Sequence, residues 1–440
     1  MRSPWARLTE AAAVRLHPPK GPIEARVRVP GSKSATNRAL LVAGFAEGPS
    51  VLEGILKSDD AYWAVEALKA LGIGVRVEGE TAHVEGGGPK KAKAEVYVGS
   101  AGTLARFLTA LLAFTPGRWR LDASPQMKRR PMAPLLEALA GLGAKITFLE
   151  EPGRFPFLLE GKRIPGGEVK IPGVPSSQFV SALLLAAPLA EKPLAVEVTE
   201  GLVQPDYVRM TLKTLKDFGA YAQEAGPRRY LVHPGGLAGR CYALEADASA
   251  AAYFFALAAA SGGRVLVENL RPDTLQPDLG FVHVLERMGA RARMGEEGVE
   301  VEGGPALKGG FVQSLHAMSD QTPTLAALAA MADAPVRITE VAHIRHHETD
   351  RIHAMAEELT KAGARVVEEA DGLTVHPGPL RPARLNSHDD HRVAMSLALL
   401  ALRAPGLVIE NPGAVSKTFP DYFERLKALG FGVILERHGG

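Results

Sequence analysis

The residues able to do chemistry fall in short polar loops ahead of apolar stretches. In Pro30-Gly31-Ser32-Lys33-Ser34-Ala35-Thr36-Asn37-Arg38, a Pro-Gly-Ser turn exposes backbone amides and Lys33 adds a point charge. That set suits a phosphate or carboxylate, or else an ordinary solvated helix cap. The glycine-lysine spacing of a Walker loop is missing. Ser100-Ala101-Gly102-Thr103 with Arg106 offers a glycine that a ligand can approach closely, although alone it also reads as an N-cap. Lys128, Arg129 and Arg130 crowd before Pro131, which suits the first turn of a helix. Cations oppose the dipole there, and a bound anion would relieve the conflict, which points to function at Arg130. Pro175-Ser176-Ser177-Gln178 supplies two hydroxyls and an amide for phosphate or sugar-like hydroxyls, or two capping serines; a partner loop carries Gln204, Asp206, Tyr207 and Arg209.

Later loops are richer in charge. Asp247 reads as a cap, and Asp320 heads an apolar stretch. The run from His343 to Arg351 contains His343, Arg345, His346, His347, Glu348 and Asp350. Its His-His-Glu order lacks the spacing that places two imidazoles on one helix face, so no metal is expected. In His388-Asp389-Asp390-His391-Arg392 two readings stand: His388, Asp389 and Asp390 holding a metal, or Asp390 capping a helix while His391 and Arg392 face an anion. Lys417 follows in Ser416-Lys417-Thr418. The cations Lys33, Arg130, Arg351, Arg392 and Lys417, with the carboxylates Asp320 and Glu348, point to a small, multiply anionic substrate handled by electrostatics and proton transfer. No serine–histidine–aspartate order and no cysteine nucleophile supports hydrolase chemistry.

These loops need a frame, and the composition bounds it. The 440 residues suggest two or three domains. With 51 basic against 49 acidic residues, the net charge of +2 excludes the basic excess of a dedicated nucleic-acid binder. Cys241 is the single cysteine, which leaves no disulfide framework and fits a reducing compartment. The apolar runs are shorter than the roughly 20 residues a bilayer needs. The first twenty residues lack the continuous apolar core of a secretory signal and read as a loose or docked extension.

Internal repetition organises the rest. An amphipathic helix, a glycine and a strand recur with markers Gly72, Gly143, Gly219, Gly289, Gly363 and Gly430, spaced 71, 76, 70, 74 and 67 residues apart. In step with them, small-residue helices that are apolar nearly all round begin near Lys33, Ser100, Ser176, Asp247, Asp320 and Asp389. Such helices are normally buried. Each unit reads as strand, buried helix, strand, amphipathic helix, strand, strand: an α/β fold of six pseudo-symmetric strand–helix repeats, three per domain, with the polar loops converging. The expected domains are residues 32–245, and residues 1–31 with 246–440.

At these loops the chain resembles the 5-enolpyruvylshikimate-3-phosphate synthase family. PGSKSATNRAL, SAGTLAR, KRRPM, SSQF, HETDR, DDHR and SKTFPDYF occur in the family's order from about Pro30 to Phe423. The resemblance implies a two-domain enolpyruvyl transferase-like fold with a cleft between domains that close as substrate binds. It implies transfer of the enolpyruvyl group of phosphoenolpyruvate to the 5-hydroxyl of shikimate 3-phosphate through a tetrahedral intermediate, with no metal or cofactor. By motif match, Lys33, Asp320 and Glu348 would handle protons, with His391 in support. Lys33, Ser34, Arg38, Ser176, Ser177, Gln178, Tyr207, Asp320 and His347 would bind shikimate 3-phosphate. Lys33, Gly102, Arg130, Gln178, Arg351, Arg392 and Lys417 would bind phosphoenolpyruvate. Gly102 would leave room for glyphosate to compete. A cytoplasmic monomer acting on small molecules, without nucleic-acid or membrane partners, is expected.

Three positions depart from the family pattern: His347 replaces a usual lysine, His343 a common asparagine, and Gln204 a usual serine. The rival within the fold is the UDP-N-acetylglucosamine enolpyruvyl transferase, which usually carries a reactive cysteine in the loop ahead of its Arg-Pro. Here that loop has none. The rival of another class is a non-catalytic anion binder, which would gain nothing from Asp320 and Glu348 in a cationic site.

Overall fold

A computed structural model describes residues 2–174, 176–202 and 205–439; Pro175 and Gln204 lie outside the described residues. The chain divides into two compact units, one of Gly31–Leu244 with Ser3, the other of Pro4–Pro30 and Glu245–Gly440 with Arg2.

Among the described residues there are six four-stranded sheets, built to one plan. In one, Lys93–Tyr97 pairs parallel with Gly117–Asp122, which pairs antiparallel with Phe157–Gly161, which pairs antiparallel with Lys145–Phe148. The parallel pair requires a crossover, and the Gly102–Ala113 helix supplies it. All twelve residues of that helix are buried, as its apolar circumference dictates. The equivalent helices are Lys33–Phe45, Gln178–Ala186, Ala248–Ser261, Thr322–Ala330 and His391–Ala398. In the first unit the Gly102–Ala113 helix packs against both Lys33–Phe45 and Gln178–Ala186; in the second, Thr322–Ala330 packs against both Ala248–Ser261 and His391–Ala398. Each Leu or Phe buried in such a layer contributes roughly 1.5–3 kcal/mol. The six marker glycines end the amphipathic helices with φ between 83° and 120°, a region that side chains disfavour.

Two details differ from the repeat as read along the chain. The strand before the first buried helix, Glu24–Val27, pairs with Arg264–Val267 in the fourth sheet. The strand before the fourth buried helix, Cys241–Ala243, pairs with Ser50–Glu53 in the first. The chain therefore passes between units after a sheet's first strand and before the helix that follows it. Residues 1–20 are also more than an extension. Ala11–His17 lies between Leu407–Glu410 and Gly432–Arg437, antiparallel to both, and completes the sixth sheet. Ala13, Val14 and Leu16 are at 0% exposure, which matches a strand in the interior of a sheet.

Candidate active site

In the first unit the buried helices present their N-terminal ends. Ser32 caps the first, its Oγ accepting from the Ala35 N–H at 2.8 Å, so Lys33 and Ser34 open the first turn. Lys33 Nζ lies 3.5 Å from Asp60, a carboxylate in the first turn of the Asp59–Ala70 helix. Arg38 is turned inward: it donates to Thr211 Oγ1 at 2.8 Å and to the Ser34 and Tyr207 carbonyls at 3.2 Å. Burial pulls its guanidinium down to about 10. Arg38 thus ties the helix bearing Lys33 to the Pro205–Asp217 helix bearing Tyr207.

A second group surrounds the next helix. Arg106, 4% exposed, donates to Gln178 Oε1 at 2.6 Å and to Ser176 Oγ at 3.5 Å. Gln178 Nε2 donates in turn to Thr103 Oγ1 at 3.2 Å. Ser177 is the 4% exposed N-cap residue of that helix. Burial, with Arg130 nearby, pulls Arg106 down to about 10. Arg130 contacts Met127 Sδ at 3.9 Å, and no carboxylate among the described residues pairs with it. A Cβ on Gly102 would lie 2.6 Å from Arg130 Nη1. One expectation is corrected here: Lys128 ends a short Pro125–Lys128 helix, and the next helix begins at Ala133, so Pro131 does not open it. Lys128 sits at a helix C-terminus, where the dipole favours it, and lies 3.6 Å from both Asp122 and Glu150.

In the second unit one buried guanidinium gathers the acids. Arg351, 2% exposed, donates from Nε to Asp390 at 2.8 Å, from Nη1 to Asp320 at 3.1 Å, and from Nη2 to Glu348 at 2.8 Å. Burial opposes its charge, but Asp390, Asp320 and Glu348 more than offset that and hold its pKa above the usual value. Asp390 also caps the His391–Ala398 helix, so of the two readings for that loop the cap is the one seen. The other oxygen of Glu348 pairs with Lys417 Nζ. Burial alone would raise Glu348, yet Lys417 and Arg351 hold it far below the carboxylate range. Asp320 is likewise held low against its burial by Arg392 and Arg351. Arg392 is 7% exposed, and no carboxylate among the described residues lies within ion-pair distance of its side chain. Burial keeps the His391 imidazole well below its usual pKa, so it is neutral at pH 7.

The histidine departures acquire structural meaning. Arg351 Nη1 lies 3.0 Å from His347 Nδ1. A guanidinium only donates, so Nδ1 is the acceptor and the proton of the neutral ring sits on Nε2. Burial, then Arg351, lowers the His347 pKa. A lysine could not accept this bond. His343 Nε2 lies 2.8 Å from Ser319 Oγ, beside Asp320.

In the second unit, therefore, two carboxylates share one guanidinium, beside an Arg392 that has no carboxylate within ion-pair distance among the described residues. The EPSP synthase (3-phosphoshikimate 1-carboxyvinyltransferase) family profile matches residues 18–426. The chain belongs to the EPSP synthase family. It is 45% identical to 3-phosphoshikimate 1-carboxyvinyltransferase 2 of Halalkalibacterium halodurans, over 98% of each chain. It is 42% identical to the enzyme of Trichormus variabilis, over 92% of this chain and 96% of that one. Among solved structures it is similar to the EPSP synthase of Acinetobacter baumannii, with a TM-score of 0.83, 26% identity, and coverage of 96% and 99% of the two chains. It shares its fold with the enolpyruvyl transferase NikO of Streptomyces tendae, at a TM-score of 0.76, 20% identity, and coverage of 98% and 100%.

Two residues of this EPSP synthase family member escaped the sequence reading. Asp60, the partner of Lys33, was signalled only by Ser58-Asp59-Asp60, an ordinary cap with two acids. Asp278 had no signal. It accepts from Ser249 Oγ at 2.6 Å and from Gln321 Nε2 at 2.7 Å, and burial with Asp320 nearby raises it to about 6. A raised carboxyl opposes folding as it ionises, so the stability this group permits at low pH is lost as pH rises from its ordinary range toward 6. Asp278→Asn should remove that loss. Thermal melts of both proteins between pH 4 and 7 check it, and parallel curves would refute the assignment.

Proposed function

We propose that this chain transfers the enolpyruvyl group of phosphoenolpyruvate to the 5-hydroxyl of shikimate 3-phosphate, releasing phosphate. The observation that carries the reading is the pair Asp320 and Glu348 on Arg351, with Lys417 on Glu348 and, among the described residues, no carboxylate within ion-pair distance of Arg392. Asp320 is an ionised base and takes the proton of the attacking hydroxyl. The oxygen adds to C2 of phosphoenolpyruvate, and C3 takes a proton. Glu348 delivers that proton only when protonated, and its cations oppose this in the free protein. A phosphate or carboxylate bound by Lys417 and Arg351 draws those charges away and raises Glu348. Substrate binding thereby arms the acid. In the second half Glu348 takes the proton back from C3, phosphate leaves C2 and carries off the proton that Asp320 had taken, and the enol ether remains.

The Gly31–Leu244 unit mainly serves shikimate 3-phosphate through Lys33, Ser34, Ser176, Ser177, Gln178 and Tyr207, with Arg38 placing Tyr207. Lys33 also serves phosphoenolpyruvate, and Arg130, with Gln178 and the Gly102 backbone, takes one of its anionic groups. The second unit supplies Arg351, Arg392, Lys417 and the proton-transfer groups, with neutral His391 beside Glu348. No helix among the described residues is long and apolar enough to cross a membrane. The reading includes a cytoplasmic monomer that needs no cofactor.

Phosphate release by the purified protein tests the reaction. Release is expected with phosphoenolpyruvate and shikimate 3-phosphate, and not with UDP-N-acetylglucosamine as acceptor or without an acceptor. Release with the UDP-sugar alone would overturn the proposal. A methyl at Gly102 must push the Arg130 guanidinium aside, so Gly102→Ala should raise the KM for phosphoenolpyruvate about tenfold, the effect of ~1.4 kcal/mol of lost binding. It should leave the KM for shikimate 3-phosphate within about twofold. Steady-state kinetics in each substrate decide.

A further inference from the structure

The residues ahead of the first strand touch two loops of their own unit. Arg2 Nη2 donates to Asn411 Oδ1 at 2.6 Å and to Asp389 Oδ1 at 3.2 Å. Asn411 Nδ2 donates to the same Asp389 oxygen at 3.0 Å. Arg7 and Ser416 exchange hydrogen bonds: the Arg7 N–H donates to Ser416 Oγ at 3.1 Å, and that hydroxyl donates to the Arg7 carbonyl at 3.1 Å. Leu8 packs against the core of the unit. The Arg7–Glu424 pair is exposed on both sides and adds little.

The contacted residues adjoin the candidate chemistry. Ser416, 1% exposed, directly precedes Lys417. Asp389 lies two residues before His391 and next to Asp390, the partner of Arg351.

The backbone here is strained. Among the described residues six non-glycines have left-handed φ, and four of them meet at this place: Leu8 at 60°, His388 at 54°, Asp389 at 53° and Asn411 at 53°. Asn, Asp and His tolerate this region better than Leu. Such conformations cost free energy and persist only where the surroundings over-determine them. His388 is held from the other side by Glu358, Nε2 to Oε2 at 2.8 Å, and Ser387 Oγ donates to the Asn411 carbonyl at 2.8 Å. Arg2 closes the set by bridging two of the left-handed residues.

We propose that Arg2 and Pro4–Glu10 form a positioning arm that holds the His388–Asp389 and Asn411–Lys417 loops in the arrangement that binds phosphoenolpyruvate. The inference rests on the function proposed above for its assignment of Lys417, Arg351 and Arg392 to that substrate. The arm touches no substrate itself. It raises the fraction of molecules whose loops are competent, and apparent affinity falls in proportion when that fraction falls.

Two variants test it: Arg2→Ala, and Arg2→Ala combined with Ser416→Ala, which also removes the exchange with Arg7. Each should raise the KM for phosphoenolpyruvate about five- to twentyfold, with kcat and the KM for shikimate 3-phosphate within about twofold. Amide exchange should speed about tenfold or more at residues 387–390 and 411–417, with the Ala248–Ser261 helix unchanged. Arg2→Lys, which keeps a donor and the charge, should recover part of the loss. Should the double variant fail to fold, Arg2→Ala alone decides, since that side chain is partly exposed. Equal rises in both KM values, a fall confined to kcat, or unchanged kinetics and exchange would each overturn the arm's role. A wild-type protein that releases no phosphate would overturn the reaction instead, and the exchange measurement would still judge the arm.

Discussion

Glu348→Gln is expected to lower kcat by about 10²- to 10⁴-fold, the usual worth of a positioned general acid or base. Glutamine keeps the shape and can still accept from Lys417 or Arg351, so the loss reports proton transfer more than placement. A second readout separates the two. In deuterated water the wild type should place deuterium on C3 of phosphoenolpyruvate while shikimate 3-phosphate is bound, because the proton delivered to C3 returns to an exchangeable carboxyl. The variant should not. Near-wild-type turnover, or deuterium uptake that survives the substitution, would remove Glu348 from its assigned role.

Arg351→Met should have the largest effect on stability. It leaves Asp390, which is fully buried, without its cation, and takes the guanidinium from the partly exposed Asp320 and Glu348. Removing one partner of a buried ion pair costs about 3–5 kcal/mol, because the remaining charge keeps its desolvation penalty. At about 2–4 °C per kcal/mol for a unit of this size, the melting temperature should fall by roughly 6–20 °C. The pH dependence has a definite sign. In the wild type Asp320 and Glu348 are held below their ordinary values of 3.8 and 4.5, so their stabilisation is present above those values and lost as pH falls through them. In the variant the same carboxyls titrate higher and are relieved by protonation. The gap between the two proteins should therefore narrow as the pH falls below about 4.5. A constant gap, or a change within about 1 kcal/mol, would mean that the guanidinium is not what holds these acids together.

Much of the molecule could be read along the chain because its signals are local. A glycine that ends a helix with positive φ needs only its own neighbours, and Gly72, Gly143, Gly219, Gly289, Gly363 and Gly430 therefore marked the six repeats. A helix apolar on every side must be buried wherever it lies, as with Gly102–Ala113 and Ala248–Ser261. The motif order from Pro30 to Phe423 identified the family for the same reason: each motif is a contiguous run.

What spacing could not decide depends on partners distant in sequence and on burial. Which sheet of its unit Glu24–Val27 joins is settled by hydrogen bonds to Arg264–Val267, more than two hundred residues away. The run His346-His347-Glu348 looks the same whether His347 is a cation or an acceptor; only Arg351, placed 3.0 Å from Nδ1, makes it an acceptor. Asp278 is one unremarkable acid until folding buries it beside Asp320. Local conformation follows from the covalent neighbours of a residue, and the sequence carries it. Charge state and strand partnership follow from distance and dielectric, and those exist only once the chain has folded.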